Sequence, residues 1–155
     1  MTFDFERMEV YQLSLKAIDC CVHIIAKMPR GHSSHADQLK RAVTSVSLNT
    51  AEGSGEFKPL EKARFYRMAL RSVSEISANV QIGNRLKIVS NEDYAEAYKL
   101  FTRLAKMLTN LVASVEARNT NRDREPLRWD GLSDLGNGDW GGGMGEEGLI
   151  LAQRN

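Results

Sequence analysis

The sequence predicts an all-α protein, an antiparallel up-down-up-down four-helix bundle. Three observations predict it. Four successive segments repeat apolar residues with the 3.6-residue period of one helix face. None alternates with period two over strand length, and no Asn-Gly or Asp-Gly hairpin signal appears among them. The connections are short, and short connections between long helices place neighbours antiparallel.

The first segment runs from Arg7 to Met28 on a stripe of Val10, Leu13, Ala17, Cys20 or Cys21 and Ile24, and Pro29-Arg30-Gly31 ends it. The second is expected to begin at Ser34, whose hydroxyl with Asp37 three residues on resembles a capping box. Leu39, Ala42, Val43, Val46 and Thr50 form its inner face, and Gly53 is expected to stop it as a left-handed cap. The third opens on Pro59, which suits a first turn because its missing N–H would have no helical partner. Phe65, Ala69, Val73, Ile76, Val80 and Gly83 line its core face up to about Val89. Ser90 or Asn91 caps the fourth, and Tyr94, Ala97, Phe101, Leu104, Leu108, Leu111 and Val115 carry its stripe to Ala117.

Residues 1–117 therefore form one bundle domain, and residues 118–155 read differently. Residues 119–155 hold 8 of the 12 glycines, with 7 acidic against 4 basic residues. Such a stretch buries too little apolar area to offset its ordering entropy, so a flexible tail is one reading. Trp129, Trp140 and Leu149-Ile150-Leu151 support the other, a segment that docks on a partner. The preceding 118 residues carry 17 basic and 13 acidic residues, a mild positive balance.

Several chemistries lack their residues. No apolar run approaches the roughly 18 residues that span a bilayer. The N-terminus lacks a signal-peptide pattern, so the expected location is the cytoplasm, with no membrane partner. Cys20 and Cys21 are adjacent with no third cysteine and read as small hydrophobes in a reducing compartment. No helix carries Glu-x-x-His, and His32 and His35 read as surface residues at a helix start, so no metal is expected. There is no P-loop, dinucleotide glycine motif, nucleophile elbow or Cys-x-x-Cys pair. The expectation is a noncatalytic protein without cofactors.

Two polar rows call for explanation. Projected at 100° per residue, Arg64, Arg67, Arg71 and Arg85 share a narrow arc opposite the core face of the third helix. A solvated face explains such a row. So does contact with a nucleic-acid backbone, to which the planar arginine fork is well suited. Lys40 is grouped with these four as a candidate nucleic-acid contact. On the second helix Gln38, Arg41, Ser45, Asn49 and Glu52 flank the apolar face, and Ser72, Glu75 and Asn79 on the third can partner them. A partly buried hydrogen-bond network between helices is the favoured reading over direct ligand contact.

The run QLKRAVTSVSLNTAEGSGEF, followed by EKARFYRMALRSVSEI, resembles the four-helix-bundle family of 23S ribosomal RNA intervening-sequence proteins. That family includes the accessory variability determinant proteins of diversity-generating retroelements. Its first pattern falls on Gln38, Arg41, Ala42, Ser45, Val46, Asn49, Thr50, Ala51, Glu52 and Gly53, and its second on Arg64, Phe65, Ala69, Ser72, Glu75 and Ile76. The resemblance covers about residues 3–117. Thr50 replaces an isoleucine of the pattern and Arg71 a glycine, which completes the arginine row.

The resemblance implies a ring-like homopentamer. For the retroelement members it implies a noncatalytic partner of a reverse transcriptase that binds structured template RNA through basic surfaces. For the ribosomal members it implies only a protein encoded within an rRNA insertion, and the alternative reading is a structural oligomer of that type that binds only protein partners.

Overall fold

A computed structural model describes residues 2–124, so Trp129 and Trp140 lie outside the described residues. A short 3-10 turn, Asp4–Arg7, precedes four helices: α1 (Glu9–Lys27), α2 (Ser33–Gly55), α3 (Pro59–Arg85) and α4 (Asn91–Arg124). Among the described residues there is no strand. The backbones of α1 and α2, α2 and α3, α3 and α4, and α4 and α1 lie side by side, and neither diagonal pair comes as close among the described residues. Cross-contacts fix the directions. Ser45 meets Ser72 while Gly53 faces Tyr66, and Glu9 meets Arg103 while Lys27 meets Asp93. Both pairs of helices therefore run antiparallel, as four helices in up-down-up-down order must.

The four stripes meet on one axis. Ile24, Leu39, Val46, Ile76, Val80, Phe101, Leu104 and Leu108 are almost wholly enclosed there. Buried hydroxyls are bonded: Ser47 Oγ donates to Ser14 Oγ (2.9 Å), which donates to the Tyr11 carbonyl (2.7 Å). Buried Thr50 donates to the Val46 carbonyl (2.7 Å), so a hydroxyl is tolerated where the family pattern has isoleucine.

Several boundaries differ from the sequence expectation, each for a physical reason. α2 begins at Ser33 behind His32, and no side chain caps it, so the Ser34–Asp37 capping box does not form. Gly53 does not stop α2, which continues through Gly55. Among the described glycines only Gly31 has positive φ, so Gly53 is no left-handed cap. It allows close approach instead: a Cβ there would lie 2.6 Å from Tyr66 Cε1 and 3.1 Å from Phe65 Cβ. Tyr66, only 3% exposed, fills the core place expected of Phe65 and joins Ala63 and Val115 in a second small cluster.

α3 ends at Arg85, four residues before Val89. Lys87 takes φ +62°, Ile88 N–H donates to the Gly83 carbonyl (2.9 Å) and Lys87 N–H to that of Asn84 (3.1 Å). This is a Schellman turn with lysine at the left-handed position usually given to glycine. α4 opens as expected on Ser90, whose Oγ accepts the Asp93 N–H (3.0 Å), and it runs seven residues past Ala117.

Candidate functional site

The hydrogen-bonded core of the α2–α3 contact is smaller than the polar row suggested. Asn49 Nδ2 donates to the Ser45 carbonyl (2.8 Å) and to Ser45 Oγ (3.0 Å). Ser72 Oγ donates to the Met68 carbonyl (3.2 Å) and lies 2.9 Å from Ser45 Oγ. With the Ser72 proton so committed, Ser45 donates to Ser72, and the relay runs Asn49 to Ser45 to Ser72 to backbone. Ser45, Asn49 and Ser72 are thus brought together across the two helices. Asn79 caps the row separately, donating to the Glu75 carbonyl (3.1 Å).

Gln38, Arg41, Glu52 and Glu75 do not join that relay through their side chains. All four are exposed and none has a side-chain hydrogen bond or ion pair among the described residues. Arg41, Glu52 and Glu75 border an open groove outside the relay instead. One part is lined by Lys40, Arg41, Thr44, Ser45, Leu48, Asn49, Glu52 and Met68, and its continuation by Arg71, Ser72 and Glu75. Leu48 is 56% exposed and Met68 40%, which is unusual for large apolar side chains between charges.

The arginine row is on the outside of α3 as projected, but its members differ. Arg64 Nη1 is 3.0 Å from Glu61 Oε2 on its own helix. Arg67 pairs with Glu116 of α4, a partner no single-helix projection shows. Arg71, Arg85 and Lys40 are exposed and form no ion pair among the described residues. The same face carries exposed Leu60 (65%), Ile82 and Leu86 as well as Met68. Read as Leu60, Arg64, Met68, Arg71, Glu75, Ala78, Ile82 and Leu86, it is a second seam of three- and four-residue steps. Its apolar members are legible in the sequence, where the cations between them dominate the projection.

A third polar centre went unforeseen. Asp93, buried in the first turn of α4, receives Lys27 Nζ at 3.1 and 3.2 Å and lies 3.3 Å from His23 Nε2. Burial alone would raise its pKa. The Lys27 hydrogen bond, the Ser90 contact and the electrostatic effect of the nearby Lys27 and His23 side chains outweigh burial and hold it below the usual carboxylate value. Cys20 lines a groove between α1 and α4 with His23 and Asp93, but burial and the Glu96 and Asp93 carboxylates push its thiol up to about 11. Burial pushes Cys21 up to about 12. Thiols so raised are poor nucleophiles at neutral pH, and the place acts as a clamp between α1 and α4.

Among the described residues no three His, Cys, Asp or Glu side chains assemble as metal ligands. His32 precedes α2, and His35 Nε2 is enclosed beside Gly83 without a hydrogen-bond partner. No helix among the described residues is long and apolar enough to cross a membrane.

The sequence model of the 23S rRNA-intervening sequence protein family matches residues 6–110. The match takes in α1, α2, α3 and most of α4, with both motif blocks. No curated protein matches the chain.

Proposed function

The chain belongs to the 23S rRNA-intervening sequence protein family, and from that premise we propose that it is a noncatalytic RNA-binding accessory protein that works as a homo-oligomer. The observation that carries this reading is a set of outward cations left unneutralised within the described residues: Arg71 and Arg85 on α3 with Lys40 on α2. Arg64 and Arg67 extend the row, each held by one carboxylate. Repeated on every subunit, such a row gives a surface that releases counterions from bound phosphates. The resemblance to accessory variability determinants supplies the finer form: a ring-like homopentamer that holds structured template RNA for the reverse transcriptase of a diversity-generating retroelement.

One observation favours a second reading, a structural oligomer that binds only protein. Leu60, Met68, Ile82 and Leu86 share the arginine face, and apolar side chains add nothing to a phosphate contact. Replacing Arg64, Arg67, Arg71 and Arg85 by glutamine separates the two. RNA binding should weaken and its log–log salt slope should fall by up to about 0.9 for each phosphate left unneutralised, while the helical signal is retained. Binding with an unchanged salt slope in that variant would show that the arginine row does not touch phosphate. Wild-type protein that binds no RNA at low salt leaves the protein-only reading.

A further inference from the structure

The outer row of α2 has a design that RNA binding does not use. Arg41, Ser45, Leu48 and Glu52 follow one another at steps of four, three and four residues, so they share one side of the helix as a seam, with Ser45 half-buried at the groove floor and the other three exposed. Its ends carry opposite charges, and neither charge finds a partner among the described residues. Its middle exposes Leu48, with Met68 of α3 beside it across the groove. The facing wall repeats the balance, with Arg71 and Glu75 one turn apart and not in contact.

A phosphate backbone is a poor occupant of the α2 seam itself, because Glu52 would face it, while Lys40 and Arg71 of the RNA reading line the same groove beside it. A second copy of the same chain suits it. Set against itself in the antiparallel sense, the seam brings Arg41 of one copy to Glu52 of the other, twice, about a two-fold axis. Ser45 then lies opposite Leu48 in the layers between. A seam with a positive end, an apolar middle and a negative end is self-complementary in this one orientation. In the parallel sense like charges would meet. The small Ser45–Asn49–Ser72 relay matters to this surface. It settles polar groups at the groove floor within one chain and leaves the rim for contact.

We infer that the α2 seam Arg41–Ser45–Leu48–Glu52, backed by Met68, is a two-fold contact between two copies of this chain. The inference rests on the self-association half of the reading above and is independent of RNA. A two-fold contact differs from the head-to-tail contacts that close a ring, so breaking it should halve the particle mass whether the units joined are single chains or rings.

Charge reversal tests it on the full chain after nuclease treatment, with mass read by light scattering across a dilution series. Arg41→Glu alone and Glu52→Arg alone should each raise the dissociation constant of the halving step at least tenfold, because each change counts twice about the axis. The double reversal R41E/E52R should restore the wild-type mass, and Leu48→Asp should abolish the contact. All variants should keep the helical signal, since the changed residues are exposed. Single variants that all keep the mass of an oligomeric wild type overturn the contact while leaving oligomerisation intact. A wild type that is monomeric at every concentration overturns both. If R41E lowers RNA retention and the double reversal does not recover it, the seam belongs to nucleic acid and the inference is wrong.

Discussion

Replacing Gly53 by alanine decides what that residue does. A Cβ at position 53 would sit 2.6 Å from Tyr66 Cε1, 2.8 Å from Tyr66 Cδ1 and 3.1 Å from Phe65 Cβ. Tyr66 is enclosed and Phe65 Cβ is next to the backbone, so relief requires α2 and α3 to move apart. Such overpacking costs about 1–3 kcal/mol. Alanine regains about 1 kcal/mol of helix propensity, as Gly53 is helical and has no positive φ. The net expectation is a loss of about 1 kcal/mol, at most about 2, measured by urea unfolding with an unchanged m-value. Gly55→Ala is the matched control, because beyond its chain neighbours and its own helix backbone no atom lies within 4 Å of its Cβ position. It should be neutral or slightly stabilising. Truncating Tyr66 to leucine in the Gly53→Ala background should show a favourable coupling of about 0.5 kcal/mol or more. If Gly53→Ala stabilises the protein as much as the control does, the close approach of α2 and α3 is not what glycine is there for.

Other changes follow from the same geometry. Lys87→Gly should stabilise by about 0.5–1 kcal/mol, since it relieves a non-glycine residue at φ +62°; a destabilised variant would contradict the Schellman turn. Asp93→Asn should cost about 1 kcal/mol at pH 7, discounted for the half-exposed Lys27 and His23 side chains. The folded carboxyl lies below its ordinary pKa of 3.8, so the gap between wild type and variant should hold from neutral pH down to about that value. It should then shrink as pH falls through the folded pKa, and a gap that widens there would reverse the assignment. Cys20, moved from 9.0 to about 11, should alkylate at pH 8 about a hundredfold more slowly than an ordinary thiol until urea unfolds the chain. Rapid labelling of native protein would show that α1 and α4 do not enclose it.

The helices were legible because each buries one stripe, and a stripe leaves its period in the sequence. What failed depended on a second element. Gly53 reads as a stop because a glycine after a polar run resembles a cap, and only Tyr66 on the next helix reveals the close approach. Phe65 and Tyr66 project to opposite flanks of the same stripe, and only the neighbouring helices decide which is enclosed: Gly53 of α2 and Val115 of α4 both lie against Tyr66. α4 overruns Ala117 because no glycine or proline interrupts the chain before Pro126. The end of α3 at Arg85 could not be read, since the lysine at position 87 carries no signal for the left-handed residue of the turn that follows.

At the candidate site the kind of residue was legible and its pairing was not. The four arginines fall on one face as projected, yet Glu116 from α4 claims Arg67 and Glu61 claims Arg64. The polar row of α2 divides into a bonded relay and a set of unpaired charges, because Ser45 and Asn49 tilt toward α3 while Arg41 and Glu52 face outward.

Whether this bundle binds RNA as a homo-oligomer is decided by purification with and without nuclease. Without nuclease at low salt, the expected product is a particle several times heavier than the 17.4 kDa chain. It should carry RNA that high salt or nuclease strips away while the protein assembly persists. A particle free of nucleic acid at low salt, or one whose RNA is unaffected by salt, would overturn that reading.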